Sequence, residues 1–191
     1  MFFNKETKQA FVFPPKNGTM STRTFLGSIE WHGKHPIHGT TADLIKKYPA
    51  LLEYKIYGFY RDPIKRFESS ILYLKQVPIT HRGELKDLLG CTSVEDAPYE
   101  VFASDKFLEA MPEFFNKQVE WFDHPKVTAL DFNNLEAELR RITGNTTQPM
   151  PHKNKNSDFG RKEITPAVVE FVKKHYAEDY EFARRVLKIE G

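Results

Sequence analysis

Ala10-Phe11-Val12-Phe13-Pro14-Pro15-Lys16-Asn17-Gly18-Thr19-Met20 runs from an apolar, β-forming stretch through a proline stop and a polar turn into a helical segment that continues to Leu26. Proline has no N–H for a ladder, so the two prolines close a strand. Lys16-Asn17-Gly18-Thr19 then reads as a loop, with the helix starting by Met20. A second unit of the same kind follows. Glu53-Tyr54-Lys55-Ile56-Tyr57-Gly58-Phe59-Tyr60 is aromatic and β-branched, and Arg61-Asp62-Pro63 ends it at the start of a long helix. Asp62 suits the N-cap and Pro63 the first helical position, where its missing N–H has no partner to lose. Ile64, Phe67, Ile71 and Leu74 recur at helical spacing and give that helix an apolar face.

Outward from these two units, Thr40-Thr41 caps a helix through Lys47, with Pro49 beyond its end. Gly83 to His124 reads as helical segments, including Phe114-Phe115-Asn116-Lys117-Gln118-Val119-Glu120-Trp121-Phe122. Lys126-Val127-Thr128-Ala129-Leu130-Asp131-Phe132 is a third strand, Leu135 to Ile142 a helix ending at Gly144, and Thr165-Pro166 opens a helical C-terminus through Val186. Strands alternating with helices predict an α/β three-layer arrangement, a central, mostly parallel sheet flanked by helices, in one domain over residues 1–191.

Composition narrows the functions available. The chain has 191 residues with 28 Lys+Arg against 26 Asp+Glu, a formal net charge of +2. Coating nucleic acid requires a large cationic excess, because that affinity comes from releasing counterions at many phosphates; no nucleic-acid partner is expected. At 40% hydrophobic, 14% aromatic and 28% charged, the chain can bury a core. Its single cysteine, Cys91, can form neither an internal disulfide nor a cysteine zinc site alone. No apolar run follows a basic start, and no stretch of about 18 apolar residues occurs. A soluble, cytoplasmic protein with no integral membrane segment is expected.

Two segments carry chemistry. The loop around Lys16 can turn backbone N–H groups and a helix N-terminus toward an anion, with Gly18 permitting the tight geometry, Lys16 adding a charge and Thr19 and Ser21 adding hydroxyls. It is not a Walker A sequence, since no Gly immediately precedes the Lys and no Ser/Thr immediately follows it. Taken alone it is equally an ordinary βα turn with a solvated lysine. In the second segment, Arg61 at a strand end can grip a phosphate through its planar fork, and Ser69, two helical turns on, can add a hydroxyl. The alternative there is a capped amphipathic helix whose Arg61 and Arg66 pair with Asp62, Glu68 or a neighbour.

In this order and separation, the two segments resemble the sulfotransferase superfamily that uses 3′-phosphoadenosine-5′-phosphosulfate (PAPS). The likeness is to the Golgi-type carbohydrate sulfotransferases and their compact bacterial and phage relatives. Pro15-Lys16-Asn17-Gly18-Thr19 is similar to the family's loop for the 5′-phosphosulfate, and Arg61-Asp62-Pro63-Ile64-Lys65-Arg66-Phe67-Glu68-Ser69 to its 3′-phosphate segment, with Arg61 and Ser69 on the two binding positions. Val127 to Leu135 resembles the family's late strand and turn, and Thr165-Pro166 through Phe182 its C-terminal helices. The segment from Gly83 to His124 matches only loosely. One departure falls in the loop, where many relatives have Thr-Ser after the Gly. Here Thr19-Met20-Ser21 puts a thioether at one hydroxyl position, leaving that role to Thr19 or Ser21.

The resemblance implies a P-loop-like sulfotransferase fold and transfer of a sulfuryl group from PAPS to an acceptor hydroxyl of a carbohydrate or small molecule, with PAP as product and no metal. Lys16 would stabilise the leaving phosphate. Asn17, Gly18, Thr19, Met20, Ser21, Arg61 and Ser69 would hold the donor with it. A general base is also needed. Compact relatives often carry a His before a Thr-Ala helix start, so His38 is the first candidate, with His35, His32 and Glu30 behind it. Pro36 interrupts any helix that would set the three histidines on one face, which argues against a metal site there. The basic stretch His152-Lys153-Asn154-Lys155 corresponds to a loop that closes over the nucleotide or acceptor in relatives, with Lys155 toward the donor; its bland reading is a solvated loop. Trp31, Trp121 and Phe122 read as packing residues rather than sugar platforms.

Two other functions remain open on the same residues. One is a P-loop kinase or NTPase, which needs Mg²⁺ held by a Ser/Thr after the loop lysine. The other is a non-catalytic nucleotide-binding interaction module. The charge total hides an asymmetry that favours a focused anion site: residues 84–138 hold 13 Asp+Glu and 4 Lys+Arg, leaving 24 basic against 13 acidic residues in the rest of the chain, which carries both motifs and the basic stretch around Lys155.

Overall fold

The computed structural model describes residues 1–27, 39–76, 82–150 and 163–189. An N-terminal strand that the sequence pattern does not reveal, β1 (Phe2–Asn4), turns back antiparallel on β2 (Gln9–Val12) and pairs Phe2 with Phe11. Three residues are too short to display an alternation, which is why periodicity misses it. The Lys16 loop leads from β2 into α1 (Thr19–Gly27). Helix α2 (Thr41–Lys47) begins with a reciprocal capping box between Thr40 and Asp43. A 3₁₀ turn over Pro49–Glu53 follows, so strand β3 starts later than the sequence suggests, at Lys55–Tyr60.

Asp62 caps α3 (Pro63–Lys75) by accepting from the Lys65 N–H, as its position before Pro63 implies. The middle of the chain forms short helices α4 (Arg82–Leu89), α5 (Asp105–Ala110), α6 (Pro112–Phe115) and α7 (Val119–Phe122). Strand β4 (Val127–Asp131) leads through a 3₁₀ turn to α8 (Leu135–Thr143), which Gly144 ends with φ +70°. Helices α9 (Pro166–His175) and α10 (Ala177–Phe182) follow, the latter running into a π-helical turn over Ala183–Leu187. No helix among the described residues is long and apolar enough to cross a membrane.

The sheet order is β1-β2-β3-β4, with β2, β3 and β4 parallel. Alternate residues of each parallel strand serve opposite faces, and both faces are covered. Ala10, Val12, Ile56, Tyr60 and Ala129 pack with Leu44, Trp121, Phe122 and Phe182 on one side. Phe11, Tyr57, Phe59 and Leu130 pack with Phe25, Leu26, Leu139 and Ile142 on the other. Burial on both faces explains why these strands read as almost continuous apolar runs. Trp121 and Phe122 are core residues, as their sequence context suggested; Trp31 lies outside the described residues. A third cluster, built by α3, α5, α6 and α9 around Phe67, Ile71, Phe107, Phe115 and Val172, stands beside the sheet.

Because β2 and β3 are parallel neighbours, Val12 beside Gly58, the segments leaving their C-terminal ends start side by side. That edge is where open α/β sheets bind ligands. Gly58 lets the layers close: a Cβ there would lie 2.4 Å from Phe122 Cε1 and 3.2 Å from Val12 Cγ2. Gly58→Ala is therefore expected to lower stability by roughly 1–3 kcal/mol through overpacking, read as a shift in the urea midpoint with an unchanged m-value.

Candidate anion site at the strand ends

The loop after β2 passes through buried Pro14 and Pro15 and takes positive φ twice, +68° at Lys16 and +74° at Gly18. Gly18 has a second reason to be glycine, since a Cβ would sit 2.7 Å from Phe132 Cε2 and 3.1 Å from Leu135 Cδ2. Lys16 has no such freedom, and the left-handed region costs an L-residue about 1–2 kcal/mol. Such strain persists where surrounding contacts over-determine it.

Those contacts come from four elements. Arg61 Nη1, just past β3, donates to the Lys16 carbonyl at 2.7 Å. Arg66 on α3, 2% exposed, donates from Nε to the Pro15 carbonyl at 3.2 Å, and from its two terminal nitrogens to the carbonyls of Asn116 and Phe114 at 2.8 and 3.0 Å. Asn17 Nδ2 donates to the Phe59 carbonyl and to Gln118 Oε1, both at 2.6 Å. Gln118 also accepts from the Arg61 N–H at 3.0 Å and donates to the Arg61 carbonyl at 2.7 Å. Behind it, the Asp179 carboxylate on α10 accepts from the N–H groups of Gln118 at 3.0 Å and Val119 at 2.9 Å. Burial pushes the Asp179 carboxyl above its ordinary range, while these hydrogen bonds and the Arg66 charge pull it back.

The loop's outward groups differ from this inner frame. Lys16 Nζ lies 4.3 Å from the centroid of the Tyr73 ring. Burial, with the Arg61 charge adding to it, lowers its pKa to about 8. The Arg61 guanidinium carbon stands 5.0 Å from the Phe132 ring centroid, burial lowers its pKa below the ordinary value, and its Nε is buried with no hydrogen-bond partner among the described residues. Thr19 Oγ1 is likewise buried and unpartnered among the described residues. Thr19 and Met20 open α1, where first-turn N–H groups have no intrahelical acceptor. Two cations, a hydroxyl unpaired among the described residues and a helix start, joined by a loop with positive φ at Lys16 and Gly18, form an arrangement suited to a multiply charged anion.

The sequence-derived site residues fall into distinct groups. Lys16, Gly18, Thr19 and Arg61 come together at the strand ends. Asn17 is fully buried, its N–H taken by the Pro14 carbonyl at 3.3 Å and its side chain turned inward, so it holds the loop. Met20 is 43% exposed at the start of α1, and Ser21 is half-buried one residue later. Ser69 is 7% exposed on α3, one turn before Tyr73 on the same helix face. His35, His38 and Lys155, with Glu30, His32, His152 and Asn154, lie outside the described residues.

Sequence reasoning missed Gln118 and Asp179. The whole stretch from Phe114 to Phe122 reads as helix, but the structure breaks it between α6 and α7, exposing main-chain groups for Arg66 and Asp179 to bind. The polar triplet Asn116-Lys117-Gln118 inside an aromatic run was the available signal. Arg66 was visible within its motif, yet its guanidinium donates to three main-chain carbonyls, a role no spacing indicates.

No protein-family model matches the chain, and no curated protein matches it.

Gln118→Leu keeps approximate volume but leaves the N–H and carbonyl of Arg61 without their partner. At about 1–3 kcal/mol for each orphaned buried group, the variant should lose roughly 2–6 kcal/mol in equilibrium urea unfolding.

Proposed function

We propose that this protein is a PAPS-dependent sulfotransferase of P-loop-like fold, moving a sulfuryl group from PAPS to the hydroxyl of a carbohydrate or small-molecule acceptor. One observation carries the reading: the two motifs that resemble the family's donor-binding segments leave adjacent parallel strands and bond to each other, Arg61 Nη1 to the Lys16 carbonyl. The groups present fit a donor with phosphate at both ends. Among the described residues, Arg61 Nε and Thr19 Oγ1 are buried polar atoms lacking partners, and no carboxylate acts on Lys16.

In this reading the Lys16 ammonium and the N–H groups of Gly18 and Thr19 hold the 5′-phosphosulfate, and Arg61 with Ser69 holds the 3′-phosphate. The acceptor oxygen forms a bond to sulfur as the bond from sulfur to the bridging phosphate oxygen breaks. The electron pair stays on that oxygen, where Lys16 neutralises it, and PAP leaves. The acceptor proton passes to a base, for which His38 and then His35 are the first candidates from the sequence. Catalysis comes chiefly from alignment and from fixed positive charge at the leaving oxygen. An immobilised N–H cradle needs no reorganisation during transfer, which gives the strained loop its purpose.

Calorimetric titration with PAP tests the reading. Wild-type protein should bind it, and Lys16→Ala and Arg61→Ala should each weaken binding about ten- to hundredfold, the scale of one charge-assisted contact. Absence of PAP binding, or a clear preference for Mg²⁺·ATP with hydrolysis, overturns it. A pH series adds a signature. With a free-state pKa of about 8, Lys16 is cationic below that value, and a bound phosphate raises its pKa. Affinity should therefore be level near pH 7 and fall as pH rises through about 8, approaching tenfold per unit. Lys16→Met should abolish that fall.

A further inference from the structure

Tyr73 is the aromatic side chain against which Lys16 rests, 4.3 Å from Nζ to the ring centroid, and it is 43% exposed. The ring is nonetheless held. Phe114 packs against it at 5.4 Å between centroids and is itself packed on the cluster containing Phe67, Ile71 and Phe115. Helix α3 sets Tyr73 one turn beyond Ser69 on the same face. A fixed, half-exposed aromatic face thus stands next to the lysine of the anion site. The attraction of a cation to an aromatic face is weak. A direct ion pair with a phosphosulfate in a partly buried site exceeds that. A bound anion would therefore compete with the ring for the Lys16 ammonium.

We propose that the Tyr73 face is the acceptor platform: Lys16 covers it in the free protein and uncovers it on turning to the donor, and the apolar face of a hydroxylated ring then stacks there. This rests on the sulfotransferase reading and adds to it the class of acceptor, an uncharged six-membered ring bearing the reactive hydroxyl. A pyranose offers such a face through its axial C–H groups and a phenol through its π surface. Neutral rings are favoured because the charge beside the platform is engaged by the donor. The same arrangement orders binding, donor before acceptor. By linkage, whatever factor PAP contributes to ring affinity, the ring contributes to PAP affinity.

The test uses the full chain with methyl β-D-glucopyranoside and 4-nitrophenol as separate probes, their binding followed by ligand-observed NMR with and without saturating PAP, alongside PAP calorimetry. The expected result is that at least one probe binds the PAP-loaded wild type several-fold more tightly than the PAP-free protein, and which one does so distinguishes sugar from phenol. Tyr73→Ala should weaken that probe about tenfold, near 1.4 kcal/mol, leave PAP affinity within about threefold, and keep the wild-type thermal midpoint within a few degrees. Tyr73→Phe, which retains the ring, should retain the binding. The proposal falls if Tyr73→Ala weakens PAP as much as the probe, which would give the ring to the nucleotide. It also falls if neither probe binds the PAP-loaded protein, if binding ignores PAP, or if Tyr73→Ala leaves the probe unaffected. Failure of wild type to bind PAP instead removes the sulfotransferase reading itself, and this proposal with it.

Discussion

The Gln118 carboxamide joins the two segments of the candidate anion site: its oxygen takes the Asn17 amide and the Arg61 N–H, and its nitrogen donates to the Arg61 carbonyl. Asp179 holds it from behind by accepting from the main-chain N–H groups of Gln118 and Val119. Arg66 completes the clamp by binding carbonyls on the loop and on the α6–α7 break at once. The strained Lys16 backbone exists inside this frame, because its bonds hold the loop from several directions together. Buried polar networks of this kind specify one arrangement when their members are satisfied and become liabilities when one partner is removed.

The three cations at the site divide into two kinds. Arg66 is buried, and its donors go to main-chain carbonyls, so it shapes the loop. Lys16 and Arg61 sit at the edge, each depressed in pKa mainly by burial. The Arg61 charge adds to the burial of Lys16, while Glu68 and Asp62 partly offset the burial of Arg61, so an added negative charge is most favourable beside Lys16. The distribution along the chain agrees with this, since the acidic residues concentrate over positions 84–138 and most of the basic excess lies in residues 1–83, which include the loop and the β3–α3 corner. A net charge of +2 thus conceals a local field rather than a uniform surface.

Much of the architecture was legible from local rules. The prolines after Phe13 end a strand, Asp62-Pro63 starts a helix and Gly144 stops one, each for a backbone reason that acts within a few residues. The three parallel strands were readable because apolar residues are needed on both faces of a covered sheet. The N-terminal hairpin was not, because β1 is defined by its pairing with β2 rather than by any pattern of its own. The candidate site was legible in part: Lys16, Gly18, Thr19 and Arg61 announce themselves by type and spacing. The inward turn of Asn17 did not, since an asparagine in a loop looks the same whether it faces a ligand or the core.

By itself, then, the sequence determined the three parallel strands, the capped start of α3, the glycine stop of α8 and which residues could meet an anion, because capping, proline geometry and apolar alternation are short-range effects. Only the tertiary structure decided that β2 and β3 are neighbours, that Arg61 reaches the Lys16 carbonyl, and that Gln118, more than 50 residues from Arg61 and about 100 from Asn17, joins the two. Contacts across such separations depend on the closure of the whole chain around its core. No local pattern encodes them, and they hold a strained lysine beside an exposed tyrosine.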